Sequence, residues 1–176
     1  MVNDNVPASD LAVSQFVQTA GGESATIRDR LALLTVPGMH GEWRWSISWS
    51  EDGLLLCMRS ALDVVIPETR RLAVAEYASL ANCRLVVGAV YVDMNDGEAG
   101  FRIGRCSLIS PFTLPELYEL AVMLFSGSEA HLPFVRPVSA GVMPPQEASA
   151  IAVARTWTDE VDDLHRPPEW VAIALE

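Results

Sequence analysis

Residues 64–105 read VVIPETRRLAVAEYASLANCRLVVGAVYVDMNDGEAGFR followed by IGR, and this stretch decides the fold. Pro67 fits the first position of a helix, where its missing N–H removes a donor that has no partner anyway. Val74, Tyr77, Ala78 and Ala81 then fall on one stripe, and the small alanines let such a helix lie close to a sheet. Asn82 closes the helix. Leu85 to Val92 and Glu98 to Arg105 read as two strands of a hairpin around Asn95-Asp96-Gly97. A helix followed by an antiparallel hairpin points to a mixed α+β domain.

A second hairpin stands before this block. In Glu42 to Trp49, Trp43, Trp45, Ile47 and Trp49 share one face, while Glu42, Arg44, Ser46 and Ser48 share the other. Ser50-Glu51-Asp52-Gly53 makes a turn, and Leu54 to Arg59 returns. Residues 25–36 fit either a helix behind Ser24 or a strand entering the Pro37-Gly38 turn; the adjoining hairpin favours the strand.

Helices flank these strands. Pro7-Ala8-Ser9-Asp10 opens one with Val13, Phe16, Val17 and Ala20 on a single face, and Gly21-Gly22 stops it. Thr113-Leu114-Pro115-Glu116 has the pattern of a capping box, and its helix is expected to end near Gly127. Pro144-Pro145-Gln146-Glu147 opens a last helix reaching Arg155. The expected order is α-β-β-β-α-β-β-α plus a C-terminal helix or tail, with an antiparallel sheet of about five strands in two hairpin-connected groups and helices on one face. One domain is expected over residues 1–156, residues 1–6 being a loose leader, with an acidic, Pro-Pro-interrupted tail over 157–176.

Composition excludes several functions. The formal net charge is −11, without a basic run to neutralise phosphates, so neither nucleic acid nor an anionic membrane is an expected partner. All 12 basic residues are arginine, which removes Schiff-base lysines and the phosphate-binding lysine of nucleotide sites. Cys57, Cys83 and Cys106 lack the spacing of a zinc site or a disulfide framework. No secretory signal or membrane-spanning run is read, so a cytoplasmic protein is expected.

No catalytic pattern emerges either. His40, His131 and His165 are scattered. Asp93 to Glu98 superficially resembles a calcium loop, but Gly97 and Glu98 stand where such a loop needs a ligand and a glycine; a hairpin turn accounts for the stretch. No cofactor, metal or catalytic residue is expected. Trp43, Trp45 and Trp49 are the most loaded constellation, and two readings stay open. They are a sheet face under helices, or a surface for protein binding or dimerisation, where tryptophan is enriched.

With Gly41-Glu42-Trp43 to Ser48-Trp49, Val65-Ile66-Pro67-Glu68-Thr69-Arg70-Arg71, Asn82, Gly88, Asp93 and Phe101-Arg102 in this order, the chain resembles the YbjN family. The helix from Thr113 and Pro145-Gln146-Glu147-Ala148 also fit, so the resemblance covers roughly residues 30–155 by ordered spacing. Val90 departs from it, standing where an aromatic residue is usual. The resemblance implies a fold similar to type III secretion chaperones. It also implies a non-enzymatic bacterial protein, homodimeric, that binds another polypeptide as a chaperone or regulator. It makes Pro67, Asn82, Gly88, Asp93 and Arg102 fold-defining positions. A second reading is a small-molecule or enzymatic domain in which Arg44, Arg59, Arg102 or Arg105 holds an acidic ligand, because a guanidinium fork suits carboxylates.

Overall fold

The computed structural model describes residues 7–20 and 25–157. Its elements are α1 (Ala8–Ala20), β1 (Thr26–Arg28), β2 (Leu31–Gly38), β3 (Gly41–Trp49), β4 (Leu55–Val65), α2 (Glu68–Asn82), β5 (Ala89–Val92), β6 (Glu98–Cys106), α3 (Leu114–Ala140) and α4 (Pro145–Trp157). All strands join one antiparallel sheet in the order β1-β2-β3-β4-β6-β5. The α+β class and the helix-strand order agree with the sequence reading, and the sheet has six strands where about five were expected.

The extra strand comes from the ambiguous segment. Residues 25–36 are strand, but Asp29 and Arg30 fold back on themselves with φ of 50° and 58°. Arg28 therefore pairs with Leu31 across a two-residue loop. Left-handed backbone at both loop positions matches the twist of a hairpin, and is usually signalled by Asn-Gly or Asp-Gly. Asp-Arg carries no such signal.

Periodicity decides which side of the sheet is covered. Ala32, Leu34 and Val36 of β2, Trp43, Trp45, Ile47 and Trp49 of β3, and Leu56, Met58 and Leu62 of β4 are buried. Phe101 and Ile103 of β6 join them beneath the helices. α1 packs on β2 and α3, α2 on β5, and α3 on β4 and β6, while α4 closes over α2 and α3. Each large side chain buried in this layer is worth about 1.5–3 kcal/mol in removal from water.

α3 differs from expectation in length. It does not end near Gly127 but runs on to Ala140, with Pro133 and Pro137 inside it. Gly127 is a contact point and not a stop: a Cβ there would meet the Phe101 ring at 2.4 Å. The helix ends instead at Gly141, whose φ is 73°. There the Arg70 guanidinium donates to the carbonyls of Val138 and Ser139 at 2.8 and 3.0 Å. At the other end, Glu116 Oε2 accepts from the Thr113 amide at 2.7 Å and its hydroxyl at 2.9 Å. Two smaller boundaries also shift: Pro67 is the N-cap just outside α2, and residues 85–88 precede β5 without joining the sheet. The tail over 158–176, with its acidic run and Pro167-Pro168, and the Gly21-Gly22 stop lie outside the described residues.

Candidate functional site: the open face of the sheet

The tryptophans belong to the core. Trp43, Trp45 and Trp49 are 3%, 1% and 8% exposed, so the binding surface expected at their side chains is not available there. Two of them hold helices to the sheet. Trp43 Nε1 donates to Glu129 Oε1 of α3 at 2.6 Å, and Trp49 Nε1 donates to Asp10 Oδ1 of α1 at 2.7 Å. A buried indole N–H needs such an acceptor, and here each acceptor lies on the helix to be positioned. Glu129 Oε1 also takes the Met39 amide at 3.0 Å, tying the β2–β3 turn to α3.

The five positions expected to define the fold separate into two kinds. Pro67 caps α2. Asn82 completes the sheet edge: its side-chain amide donates to the Val90 carbonyl at 2.9 Å and accepts from the Val90 amide at 2.8 Å. This pair of bonds imitates a neighbouring strand for β5. Gly88 has φ of 77°, and a Cβ on it would lie 2.5 Å from the Phe101 ring, so both backbone and space require glycine. Asp93 builds the turn, its carboxylate accepting the Asn95 amide at 2.8 Å. Arg71 braces the same turn through the carbonyls of Met94 and Asn95. Arg102 is the exception. Its side chain is exposed and makes no hydrogen bond or ion pair with any described residue.

Arg102 stands on the face of the sheet that no described helix covers. Register there gives successive rows across the strands. One row is Leu31, Ser48, Cys57 and Gly104; the next is Leu33, Ser46, Arg59, Arg102 and Ala89. The third is Thr35, Arg44, Ala61, Gly100 and Tyr91. Arg59 and Arg102 are therefore direct cross-strand partners, with Cα atoms about 5 Å apart. Two like charges in this relation destabilise a sheet.

The surroundings of the pair are shaped by small residues. Beyond it towards the β3–β4 turn lies a depression of about 590 Å³ bordered by Leu55, Cys57, Gly104 and Cys106. On the other side lies a second, of about 250 Å³, bordered by Leu33, Thr35, Arg44, Ala61 and Tyr91. The Tyr91 ring lies over Gly100, where a Cβ would come 2.9 Å from it, and its hydroxyl donates to Glu98 Oε1 at 2.8 Å. Burial, then the bond to Glu98, raises the phenol pKa well above the ordinary value and keeps it a neutral donor. The Cys57 side chain beside Arg59 is the largest of the effects that raise that guanidinium's pKa.

The other arginines considered for an acidic ligand divide between the faces. Arg44 shares the open face, donating to the Leu62 carbonyl at 3.0 Å and lying 3.9 Å from Asp63. Arg105 points to the helix side and pairs with Glu116 at 2.8 Å. Sequence reasoning had named all four but missed the pairing of Arg59 with Arg102. Alternation shows that each points away from the core, since Met58 and Phe101 point into it; the register across 43 positions is set by tertiary structure.

The remaining chemical groups are dispersed. His40 Nε2 lies 3.9 Å from Glu129 Oε2, and His131 is buried with its ring stacked on Phe101 at 6.1 Å. His165 lies outside the described residues. Burial lowers the His131 pKa to about 4. Cys57, Cys83 and Cys106 are free thiols. Among the described residues no three His, Cys, Asp or Glu side chains gather as metal ligands, and no helix is long and apolar enough to cross a membrane.

Six antiparallel strands, with helices over one side and an arginine-bearing second side that no described helix covers, define an α+β domain. Residues 11–127 match the YbjN family, described as "Putative bacterial sensory transduction regulator". The match takes in more than half of the chain, and the protein belongs to this family. It takes in α1 from Leu11 onward, ahead of the residues that carried the resemblance, and stops within α3. Neither the search of curated proteins nor that of solved structures returned a match.

Proposed function

We propose that the protein is a non-enzymatic regulator that binds another polypeptide through the sheet face that no described helix covers. The observation that carries this reading is the Arg59–Arg102 pair, a destabilising arrangement on a face that no described helix covers. The family's description as a sensory transduction regulator supports a role exercised by contact. Chaperone-like action on a client chain, as a homodimer, follows from the resemblance to secretion chaperones by analogy of fold; a cytoplasmic setting follows from the sequence, in which no secretory signal is read. Light scattering on the purified chain tests the dimer, and a monomer at micromolar concentration rejects it.

The surface is tested by crosslinking and affinity capture from a bacterial lysate with three baits: the wild type, Ser46→Trp on the open face and Leu72→Glu on the exposed side of α2. A stoichiometric polypeptide retained by the wild type and by Leu72→Glu, and lost by Ser46→Trp, is the expected result. Equal retention by Ser46→Trp places the surface elsewhere. A second reading, an acidic small molecule held by strand arginines, draws on the same pair; a co-purifying metabolite in place of a polypeptide favours it.

A further inference from the structure

The chain has 23 acidic residues against 12 basic ones, yet two of the arginines stand side by side in the middle of its open face. Glu98 provides a nearby negative charge for Arg59. No described residue does the same for Arg102, so the pair offers uncompensated positive charge to whatever covers the face. The first row, with the depression at Leu55, Cys57, Gly104 and Cys106, is two residues along the strands from the arginine row, about 7 Å away. That spacing is also the distance between side chains i and i+2 of an extended chain, which point to the same side. Extended segments pack onto a sheet face with their axes within about 30° of its strands, so the two spacings stay in step over a few residues.

We propose that the open face takes an extended, acidic polypeptide segment with the pattern apolar-x-acidic, its carboxylate between Arg59 and Arg102 and its apolar side chain in the Leu55–Cys106 depression. This rests on the open face being the binding surface and adds the chemistry of the partner. Two adjacent guanidiniums donate to both oxygens of a carboxylate, and the repulsion between them is relieved when it arrives. A second copy of the same face would set its own arginines against them. Nucleic acid would meet the net charge of −11 beyond the patch.

The test is calorimetric titration of the full chain with the blocked peptide Ser-Thr-Leu-Thr-Glu-Thr-Ser. Controls are the same peptide with Gln for Glu, the peptide with Leu and Glu adjacent, and inorganic phosphate. Binding of the first peptide is expected to weaken at least tenfold with Gln for Glu, and with Arg102→Ala or Arg102→Gln, and severalfold when Leu and Glu are adjacent. Arg59→Gln should act like Arg102→Gln, and circular dichroism verifies that each variant is folded. Absence of binding at millimolar peptide, or equal binding to Arg102→Gln, overturns the proposal. Phosphate binding as tightly as the peptide also overturns it, by showing an anion site without polypeptide selectivity. If Ser46→Trp abolishes polypeptide capture while Arg59→Gln and Arg102→Gln retain it, the acidic segment is rejected and the surface stands. If none of the three affects capture, both readings fall.

Discussion

The two faces of one sheet carry opposite kinds of residue on the same strands. Along β3, Trp43, Trp45, Ile47 and Trp49 are sealed beneath helices, while Arg44 and Ser48 between them are exposed and Ser46 is half-buried. On β4 and β6 the same step separates Met58 and Phe101 from Arg59 and Arg102. On the covered face every large group has a packing reason, and its indole N–H groups at Trp43 and Trp49 reach carboxylates on helices. On the open face, small residues leave depressions and two like charges stand together. A face selected for stability alone would fill the first and separate the second. The difference assigns stability to the covered side and is the ground for proposing recognition on the other.

The comparison predicts its largest contrast between neighbours in sequence. Trp45→Ala should cost about 3–5 kcal/mol, because a fully buried indole is replaced by a cavity. Ser46→Ala, one residue along on the other face, should stay within about 0.5 kcal/mol of the wild type. Urea unfolding of both variants checks this. Similar losses at the two positions would mean that the open face is covered in the native protein.

Acid should weaken the covered side through His131. Its folded pKa of about 4 lies below the unfolded value of about 6.5, because burial disfavours the charged ring. Between these values the unfolded chain binds a proton that the native one does not, so stability falls as pH drops through this window and levels off below it. The loss reaches about 3 kcal/mol. His131→Phe should remove that part of the slope, read as the difference between the stability–pH curves of the two proteins; parallel curves between pH 6.5 and 4 would refute it.

Glu129 gives a smaller effect, through its hydrogen bonds. Replacing it by alanine strands the buried Trp43 N–H and frees the Met39 amide, for a loss of about 2 kcal/mol. Hydrogen exchange should quicken in the β2–β3 turn and leave β6 unchanged. Protection retained in that turn would show that the carboxylate does not hold it.

Much of the covered face was legible because alternation in β3 and helical spacing in α2 are local signals. Tyr77, Ala78 and Ala81 are buried as their stripe predicts. The failures were non-local. Nothing near Gly127 shows that Phe101 needs its bare backbone, so a packing glycine resembled a helix end. Nothing near Asp29-Arg30 signals a left-handed turn. The tryptophans could be read as surface because alternation divides a strand into two sides without saying which is covered. Arg59 and Arg102 became a pair through the β4–β6 register, with its irregularity between Ala61 and Val65, which the hydrophobic pattern of neither strand contains.

The smallest effect discriminates best, because its sign is unusual. Arg102→Thr removes a like charge directly opposite Arg59 and introduces a β-branched residue into a strand, and no described contact is lost. Stability should rise by about 0.2–1 kcal/mol, with Tm higher by about 0.4–4 °C for a chain of this size. Binding of the acidic peptide should fall in the same variant, as expected where a binding site is kept at the expense of stability. Calorimetric melting and titration on one preparation measure both. A stabilised variant that still binds would separate the repulsion from recognition. A destabilised one would show that Arg102 supports the fold, and the division of labour between the two faces would have to be redrawn at that residue.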